Sequence, residues 1–462
     1  MTSWHALSVL CFASACGISG GPGNGDAAHA ETGAVTDAMS HDAPTRDGGT
    51  TGSDAVASQD GTTGLDAGSH DAIGASPIAD ASELSIDCLG SDGSCPAMNL
   101  GEAPAPGLFH GFADMSIRRD PSTSWLWLSY SYLIVNQGAP ATPALDIHVT
   151  HSEDDGVTWA TPVSIFSSAQ VTDPNLGGGT TGVFWSSHEV SNLLPWVNSD
   201  GSVSWVLVHH YYTVQAGKPL YSPLSQFAGS SVLVIAETTG DPTTLGTAPS
   251  QSLGATGTTI PNYSLSALDA QLSDCSILAE PALVQIGSKL FLAAQCIYST
   301  GTTMDNSLDY YAVFETTPAG PPSTWTWTFN GKLFQPGDAV KLSPTAQYVV
   351  ELDIAKGSDG GLLGILTPTY DNPALKTPDV HEGCRVVQIA SLSNPAIASS
   401  PTGNYVELAQ VNATDLYDAG NAGPGSCTYE PSSALGLLIS RRLAADPVLG
   451  FDEIPQRTGL RP

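Results

Sequence analysis

The feature of the sequence that most constrains its fold is a series of short β-type runs separated by turn residues. From residue 109 onward, runs rich in Val, Ile, Tyr and Trp alternate with clusters of Gly, Pro, Asn and Asp, as in SWLWLSYSYLIV (124–135), SVSWVLVHHYYTV (202–214) and KLFLAAQCIY (289–298). No long stretch shows the 3.6-residue periodicity of an amphipathic helix. The sequence therefore predicts an all-β domain.

A loose repeat underlies these runs. Several units open on a polar or charged segment, enter a strand, turn, and enter a more apolar strand, as in IRRDPSTSWLWLSYS (117–131) and AEPALVQIGSKLFLAAQ (279–295). Sheets of about four strands that recur roughly every 50–90 residues predict a β-propeller. We favour six blades, with five as the alternative. In a propeller the first strand of each blade lines the central channel, where ligands bind.

The N-terminal part of the chain has a different composition. Between Phe12 and Phe109 there is no Phe, Tyr or Trp, and Gly, Ala, Ser, Thr and Asp dominate. Such a segment has too little apolar surface to offset the entropy lost on ordering. We therefore predict a disordered linker over residues 17–86 and a propeller domain over residues 87–462.

Residues 1–16, MTSWHALSVLCFASAC, resemble an export signal that ends in a bacterial lipobox. The resemblance implies that Cys16 carries the lipid of the mature protein, although no Lys or Arg precedes the apolar run. That run is too short to span a bilayer. We expect an exported protein, either a cell-surface or periplasmic lipoprotein or a secreted one.

The charge and the cysteines restrict the partners and the compartment. A net charge of −31 repels phosphate backbones and anionic lipid, which excludes nucleic acid and leaves a lipid anchor as the one expected membrane contact. We expect a monomer. Beyond Cys11 and Cys16, six cysteines fall as neighbours in sequence, and we favour the pairs Cys88–Cys95, Cys275–Cys296 and Cys384–Cys427 among the 15 possible pairings.

The segment HSEDDGVTW (151–159) contains the pattern S-x-D-x-G-x-T-W. A hydroxyl at Ser152 and a carboxylate at Asp154 can accept backbone N–H bonds in a tight turn, and Gly156 permits positive φ. Trp159 can then enter the apolar layer. The pattern resembles the Asp box of sialidases and related propellers, which joins the third and fourth strands of a blade and lies away from the active site. The acids of this segment are therefore expected to be structural.

The sialidase resemblance extends to other segments of residues 109–442. It implies a Tyr nucleophile polarised by a Glu, an Asp acid/base, and arginines that hold a substrate carboxylate. IRRDPSTS places the first arginine at Arg119, ALDIHVTHSEDDG places the acid/base at Asp146, and AEPALVQ places the Glu at Glu280. HEGCRVVQ places a further arginine at Arg385, and CTYEPSSALG places the nucleophile at Tyr429. The implied substrate is a glycan or glycoconjugate with an acidic sugar.

One position departs from that pattern and leaves alternatives open. The second family arginine is replaced by Gln295, which weakens the carboxylate clamp. One alternative is a non-catalytic propeller that binds glycan or protein. Another is a five-bladed arabinanase-like glycosidase, whose three carboxylates would be Asp120, Glu189 and Glu280.

No cofactor and no metal are predicted. The HHYY run (209–212) contains two potential metal ligands, but adjacent strand residues point to opposite faces of a sheet.

Overall fold

The computed structural model describes residues 84–87, 95–104, 110–136, 142–171, 183–215, 231–254, 265–298, 305–371, 379–412, 424–446 and 450–462. The predicted signal, Cys16, Cys88 and most of the predicted linker lie outside these ranges. Residues 84–86 were predicted to belong to the linker, but Leu84–Asp87 forms strand β1 and pairs in parallel with a strand at residues 407–412.

The first two blades follow in chain order. From the axis outward, the strands of blade I are β2 (His110–Arg119), β3 (Leu126–Asn136), β4 (Thr142–Ser152) and β5 (Val163–Phe166). After the short β6 (Gln170–Val171), the strands of blade II are β7 (Phe184–Val197), β8 (Val203–Gln215), β9 (Ser231–Thr238) and β10 (Ser250–Leu253). Consecutive strands are antiparallel, as expected for hairpin-connected runs.

Blades III and IV continue the pattern. The strands of blade III are β11 (Cys275–Ile286), β12 (Lys289–Tyr298), β13 (Tyr310–Thr316) and β14 (Thr328–Lys332). Blade IV contains β15 (Tyr348–Lys356), β16 (Leu362–Asp371), β17 (Asp379–His381), β18 (Cys384–Ser391), β19 (Ala396–Ile397) and β20 (Glu407–Asn412). The hairpin from β11 to β12 has two residues, and Gly287 supplies the positive φ of 59° that such a tight turn requires.

Blade V combines C-terminal strands with a segment around Ala97. Its C-terminal strands are β21 (Pro424–Thr428), β22 (Leu438–Asp446) and β23 (Gly450–Arg457). The segment around Ala97 lies antiparallel to β23, with Met98 N donating to the Pro455 carbonyl and Arg457 N donating to the Pro96 carbonyl. The N-terminal segment therefore closes the fold beside its last strand.

The inner strands β2, β7, β11, β15 and β21 form a closed ring in which each contacts the next and β21 contacts β2. One apolar cluster fills each interface between consecutive blades. Leu435 and Leu438 of blade V, for example, pack against Phe112 and Leu128 of blade I. The β-propeller prediction is confirmed, and the described strands form five blades, so the alternative count holds and the favoured count of six does not.

The remaining described elements are short. Six 3-10 helices occupy Pro242–Thr247, Leu265–Ala267, Ala270–Leu272, Asn306–Leu308, Pro322–Thr324 and Asp338–Lys341. No helix in the described ranges has the length and hydropathy needed to cross a bilayer.

Two disulfides join strands as predicted. Cys275–Cys296 links β11 to β12, and Cys384–Cys427 links β18 of blade IV to β21 of blade V. Cys95 is also disulfide-bonded, and its predicted partner, Cys88, lies outside the described residues.

Candidate functional site

Each of the five inner strands carries a two-residue β-bulge at the same place. The register shifts lie between Ala113 and Ser116, Glu189 and Asn192, Ala279 and Ala282, Val350 and Asp353, and Pro424 and Cys427. In four of them the first bulged residue has a positive φ, between 47° and 57°. Non-glycine residues rarely adopt this conformation, and bulges re-aim side chains next to active sites. The bulges therefore indicate a candidate functional site at this height along the central axis.

Three of these strained positions hold a carboxylate. They are Asp114 in blade I, Glu280 in blade III and Glu351 in blade IV, and Glu189 in blade II precedes its bulge by one residue. Their side chains belong to residues that are at most 4 % exposed. Burying several acids near one axis is costly unless each is hydrogen-bonded or protonated. We call this set, Asp114, Glu189, Glu280 and Glu351, the axial carboxylates.

Asp114 and Glu189 influence each other across the interface between blades I and II. Burial, followed by the charges of Glu189 and Glu453, holds the pKa of Asp114 well above its usual range. The Ser131 hydroxyl donates to Asp114 Oδ2 at 2.7 Å, and Val190 N donates to the same oxygen at 3.3 Å. Like charges that converge in a buried place favour a shared proton, as in acid/base catalysis.

Glu189 is the clearest proton donor of the set. Burial raises its pKa to about 8, and the charge of Glu453 also raises it. The hydrogen bond that the Tyr212 hydroxyl donates to Oε2, at 3.2 Å, acts in the opposite direction. Its Oε1 lies 3.7 Å from His210 Nδ1, but burial lowers the pKa of His210 to about 3, so this imidazole is neutral and the contact is not an ion pair. Burial thus favours the protonated form of Glu189.

The pKa of Glu189 predicts a pH-dependent stability. A carboxyl with a raised pKa in the folded state stabilises the fold fully below its unfolded pKa of about 4.5, and this contribution is lost as the pH rises toward 8. We therefore expect Glu189→Gln to lose less stability than the unaltered protein between pH 5 and pH 8, measured by urea unfolding. Asp114, whose pKa is also raised, has the same sign and remains in both proteins. Equal losses in the two proteins would contradict the assignment.

A second buried network lies two to four residues farther along the inner strands than the axial carboxylates. Asp353 of blade IV accepts hydrogen bonds from both terminal nitrogens of Arg118, from Asn192 Nδ2 at 2.8 Å and from Thr428 Oγ1 at 2.7 Å. Asn192 Oδ1 in turn accepts from Leu283 N at 2.9 Å. These contacts join the inner strands of all five blades.

The pKa of Asp353 is shifted in the opposite direction from the pKa values of Asp114 and Glu189. Burial acts to raise the pKa of Asp353, but the charge and hydrogen bonds of Arg118, with those of Thr428 and Asn192, bring the pKa below its usual value. The pair Arg118–Asp353 is therefore ionised. Its hydrogen bonds connect the inner strands to one another.

A cluster of neutral imidazoles lies in blade II. His188 Nδ1 is 3.1 Å from His209 Nε2, and both rings pack against Phe166. Burial lowers the pKa of His188 to about 4, and that of His209 lies well below its usual value. Among the described residues no group of three or more His, Cys, Asp or Glu side chains is arranged to hold a metal ion.

The residues assigned through the sialidase resemblance do not lie in one place. Arg119 and Tyr429 line a cavity of about 270 Å³ at the opposite end of the inner strands, together with Leu194, Val284 and Lys356. We call this cavity the lower pocket. Between Glu280 and Val284 strand β11 advances by roughly 13 Å at 3.3 Å per residue. Glu280 is not among the residues that line this cavity.

Arg119 connects the turn after β4 to the segment that follows β21. Its guanidinium donates to Asp155 and to Ser432, and its backbone N donates to Glu430 Oε2 at 3.0 Å. The arginine that reaches the axis is its neighbour Arg118. Adjacent strand residues point to opposite faces, so Arg118 and Arg119 have different partners.

Asp146 and Arg385 lie away from the axis on third strands. Asp146 is on β4 and accepts from Ser168 N at 2.7 Å, and burial raises its pKa. Arg385 is on β18, where its Nε lies 3.5 Å from Glu407 Oε2. Two strand spacings separate each of them from the inner strand, about 10 Å, so neither lies among the axial carboxylates.

Two further predicted binding residues have structural partners. Gln295 on β12 donates to Asp309 Oδ2 at 2.9 Å. Asp120 accepts from Ser122 and Thr123 in the turn between β2 and β3, and these bonds outweigh partial burial and lower its pKa. Of the arabinanase-like set, Glu189 and Glu280 occur among the axial carboxylates and Asp120 does not. The axial carboxylate of blade I is Asp114.

The segment 151–159 forms the expected turn between the third and fourth strands of blade I. Ser152 Oγ accepts from Gly156 N at 2.7 Å, and Asp154 Oδ1 accepts from Thr158 N at 2.8 Å. Gly156 has a φ of 85°, and Trp159 packs against the apolar cluster between blades V and I. Asp154 is bonded within the turn, and Asp155 accepts hydrogen bonds from Arg119 and from Ala434 N.

Sequence reasoning missed Asp114, Glu351, Arg118 and Asp353. A signal was present, because each missed acid at a bulge is embedded in small or apolar residues of a first strand, as in GFADMSI (111–117) and YVVELDI (348–354). ILAEPALV (277–284) has the same form and was recognised.

Comparisons with known proteins found similarity only among solved structures. No protein-family model and no curated protein matches the chain. An α-L-arabinofuranosidase from Podospora anserina is 10% identical, with 77% of this chain and 95% of that chain covered and a TM-score of 0.37. A GH43 endo-arabinanase from Bacillus licheniformis is 13% identical, with 74% and 92% covered and a TM-score of 0.39. At such values the fold assignment rests on the strand order of this chain.

Proposed function

We propose that the protein is a glycoside hydrolase whose active site is formed by the axial carboxylates. The observation that carries this proposal is the same left-handed bulge position in three blades, each with a buried acid: Asp114, Glu280 and Glu351. Strained backbone of this kind persists where the surrounding structure enforces it, typically at active sites. Repetition of the feature around one axis supports a site formed by acids of distant sequence segments.

The chemistry available to such a set is acid/base cleavage of an acetal. Hydrolysis of a glycosidic bond needs one protonated carboxyl to protonate the leaving oxygen and one carboxylate to activate water or attack the anomeric carbon. Glu189, with a pKa of about 8, can hold the proton at neutral pH. Glu280 and Glu351 are the carboxylates proposed to act with it. The buried Arg118–Asp353 pair, which connects the inner strands, would help to position the acids.

This proposal follows the arabinanase-like alternative of the sequence analysis, with Asp114 in place of Asp120. The sialidase-type mechanism has less support, because Tyr429 and Arg119 lie at the lower pocket and Glu280 does not.

A substrate panel tests the proposal. Purified protein is assayed at pH 5–8 against aryl glycosides, including α-L-arabinofuranoside, β-D-xyloside and sialoside, and against arabinan, xylan and mannan, with reducing ends measured. We expect turnover of at least one neutral glycan and little or none of the sialoside. Saturable binding without turnover would favour the non-catalytic propeller, and absence of both would contradict a glycan function.

We also propose export, with a lipid anchor at Cys16. The described disulfides support an oxidising compartment. Detergent-phase partitioning of the full chain in a bacterial host, lost in Cys16→Ser, is the expected result. Unchanged partitioning of the variant would contradict the anchor.

A further inference from the structure

The lower pocket is distinct from the axial carboxylates and has its own chemistry. It opens where the inner strands end, and every blade contributes to its lining, through residues such as Arg119, Leu194, Val284, Lys356 and Tyr429. Its volume of about 270 Å³ is close to the lower limit of small-molecule sites. The cavity could therefore hold a single small ligand of about monosaccharide size.

The pocket combines apolar walls with one hydroxyl. Pro121, Pro195 and Pro431 line it together with aliphatic side chains. Tyr429 lines the cavity, and its hydroxyl is not among the fully buried polar atoms without a partner in the described residues. A phenol hydroxyl can donate and accept hydrogen bonds. An oxygen atom of a ligand in the cavity is therefore a suitable partner for it.

The electrostatics of the pocket differ from those of the whole chain. Of the 14 Lys and Arg residues of a chain with a net charge of −31, Arg118, Arg119 and Lys356 line this cavity, and the positive charge of Arg461 acts on Tyr429. Arg118 is neutralised by Asp353, and Arg119 is engaged by Asp155. Lys356 and Arg461 form no ion pair within the described part of the chain.

The nearby acid does not cancel both cations. Glu430 lines the pocket, and its carboxylate accepts hydrogen bonds from Arg119 N and from Ser432. One positive charge therefore remains in excess around Tyr429. On an acidic protein such a local surplus attracts anions.

We propose that the lower pocket is a binding site for a small hydroxylated carboxylate, of the sugar-acid class. The carboxylate of the ligand lies toward Lys356, and the Tyr429 hydroxyl donates to a ligand oxygen. The proline and aliphatic walls pack against the apolar face of the sugar ring. This site is separate from the proposed hydrolytic site and does not depend on it.

The test is binding of D-glucuronate and D-galacturonate to the full protein by isothermal titration, with D-glucose and D-galactose as neutral controls. We expect saturable binding of at least one acid, at least ten-fold tighter than that of its neutral counterpart, and weaker at higher salt. Tyr429→Phe and Lys356→Met should each weaken it about ten-fold. Lys289→Met should leave it unchanged, because Lys289 is paired with Glu315 outside the pocket.

The outcomes separate this proposal from the hydrolase proposal. Glu280→Gln should not alter binding of the acid, and Tyr429→Phe should not abolish hydrolysis. Thermal melts of each variant confirm that it is folded. Equal affinity for acid and neutral sugar, no saturable binding, or binding insensitive to both Tyr429→Phe and Lys356→Met would overturn the proposal.

Discussion

Asp353→Ala is expected to lower the free energy of unfolding by about 3–5 kcal/mol, the usual cost of removing one partner of a buried ion pair. The variant leaves the Arg118 guanidinium buried without its carboxylate, and it also removes the acceptor of Asn192 and Thr428. The loss should appear in urea unfolding at pH 7, where Asp353 is ionised.

Two further variants serve as controls for this loss of stability. Glu153→Ala, at an exposed position of the turn after β4, should change stability by less than about 0.5 kcal/mol. The double change Arg118→Met with Asp353→Leu should recover much of the loss, because a buried pair replaced by apolar groups of similar size is often close to neutral. If Asp353→Ala costs less than about 1 kcal/mol, the network does not hold the inner strands as described.

Glu280→Gln is expected to lower kcat on the best substrate of the panel by about 10²–10⁴-fold, the usual contribution of a positioned acid or base. The amide keeps the shape of the side chain but cannot accept a proton or attack carbon. KM should change little, since the neutral side chain can still hydrogen-bond the sugar. The measurement is initial-rate kinetics on folded, monodisperse protein.

The matched control is Glu315→Gln, which lies on β13 and is paired with Lys289 at the surface. It should leave kcat within about two-fold. Asp114→Asn and Glu351→Gln should each reduce kcat, because both occupy the same bulge position. Wild-type kcat in Glu280→Gln would remove Glu280 from the mechanism.

The fold was predictable to the level of architecture because strand periodicity and turn chemistry are local. Hairpin signals such as the Gly287 turn can be recognised in the sequence. The blade count was not readable, for two reasons. Blade V takes three strands from the C-terminus and its edge from the segment around Ala97, and blade IV interrupts its repeat with β17 and β19.

The site was predictable only in part because its geometry depends on the bulges. A β-strand alternates its faces with a period of two, and an extra residue in the strand breaks that count. The sequence therefore could not distinguish Arg118 from Arg119, or Asp114 from Asp120, as the residue nearest the axis. Glu280 was identified through the sialidase resemblance of AEPALVQ, and Glu189 because it opens a blade.

A crystal structure of Glu280→Gln, soaked with the oligosaccharide that the unaltered protein cleaves best, tests the central claim most directly. The account predicts a sugar at the axis, within hydrogen-bond distance of at least two of Asp114, Glu189 and Glu351. A saccharide bound only at the lower pocket or on an outer strand, with the bulge level empty, would contradict it.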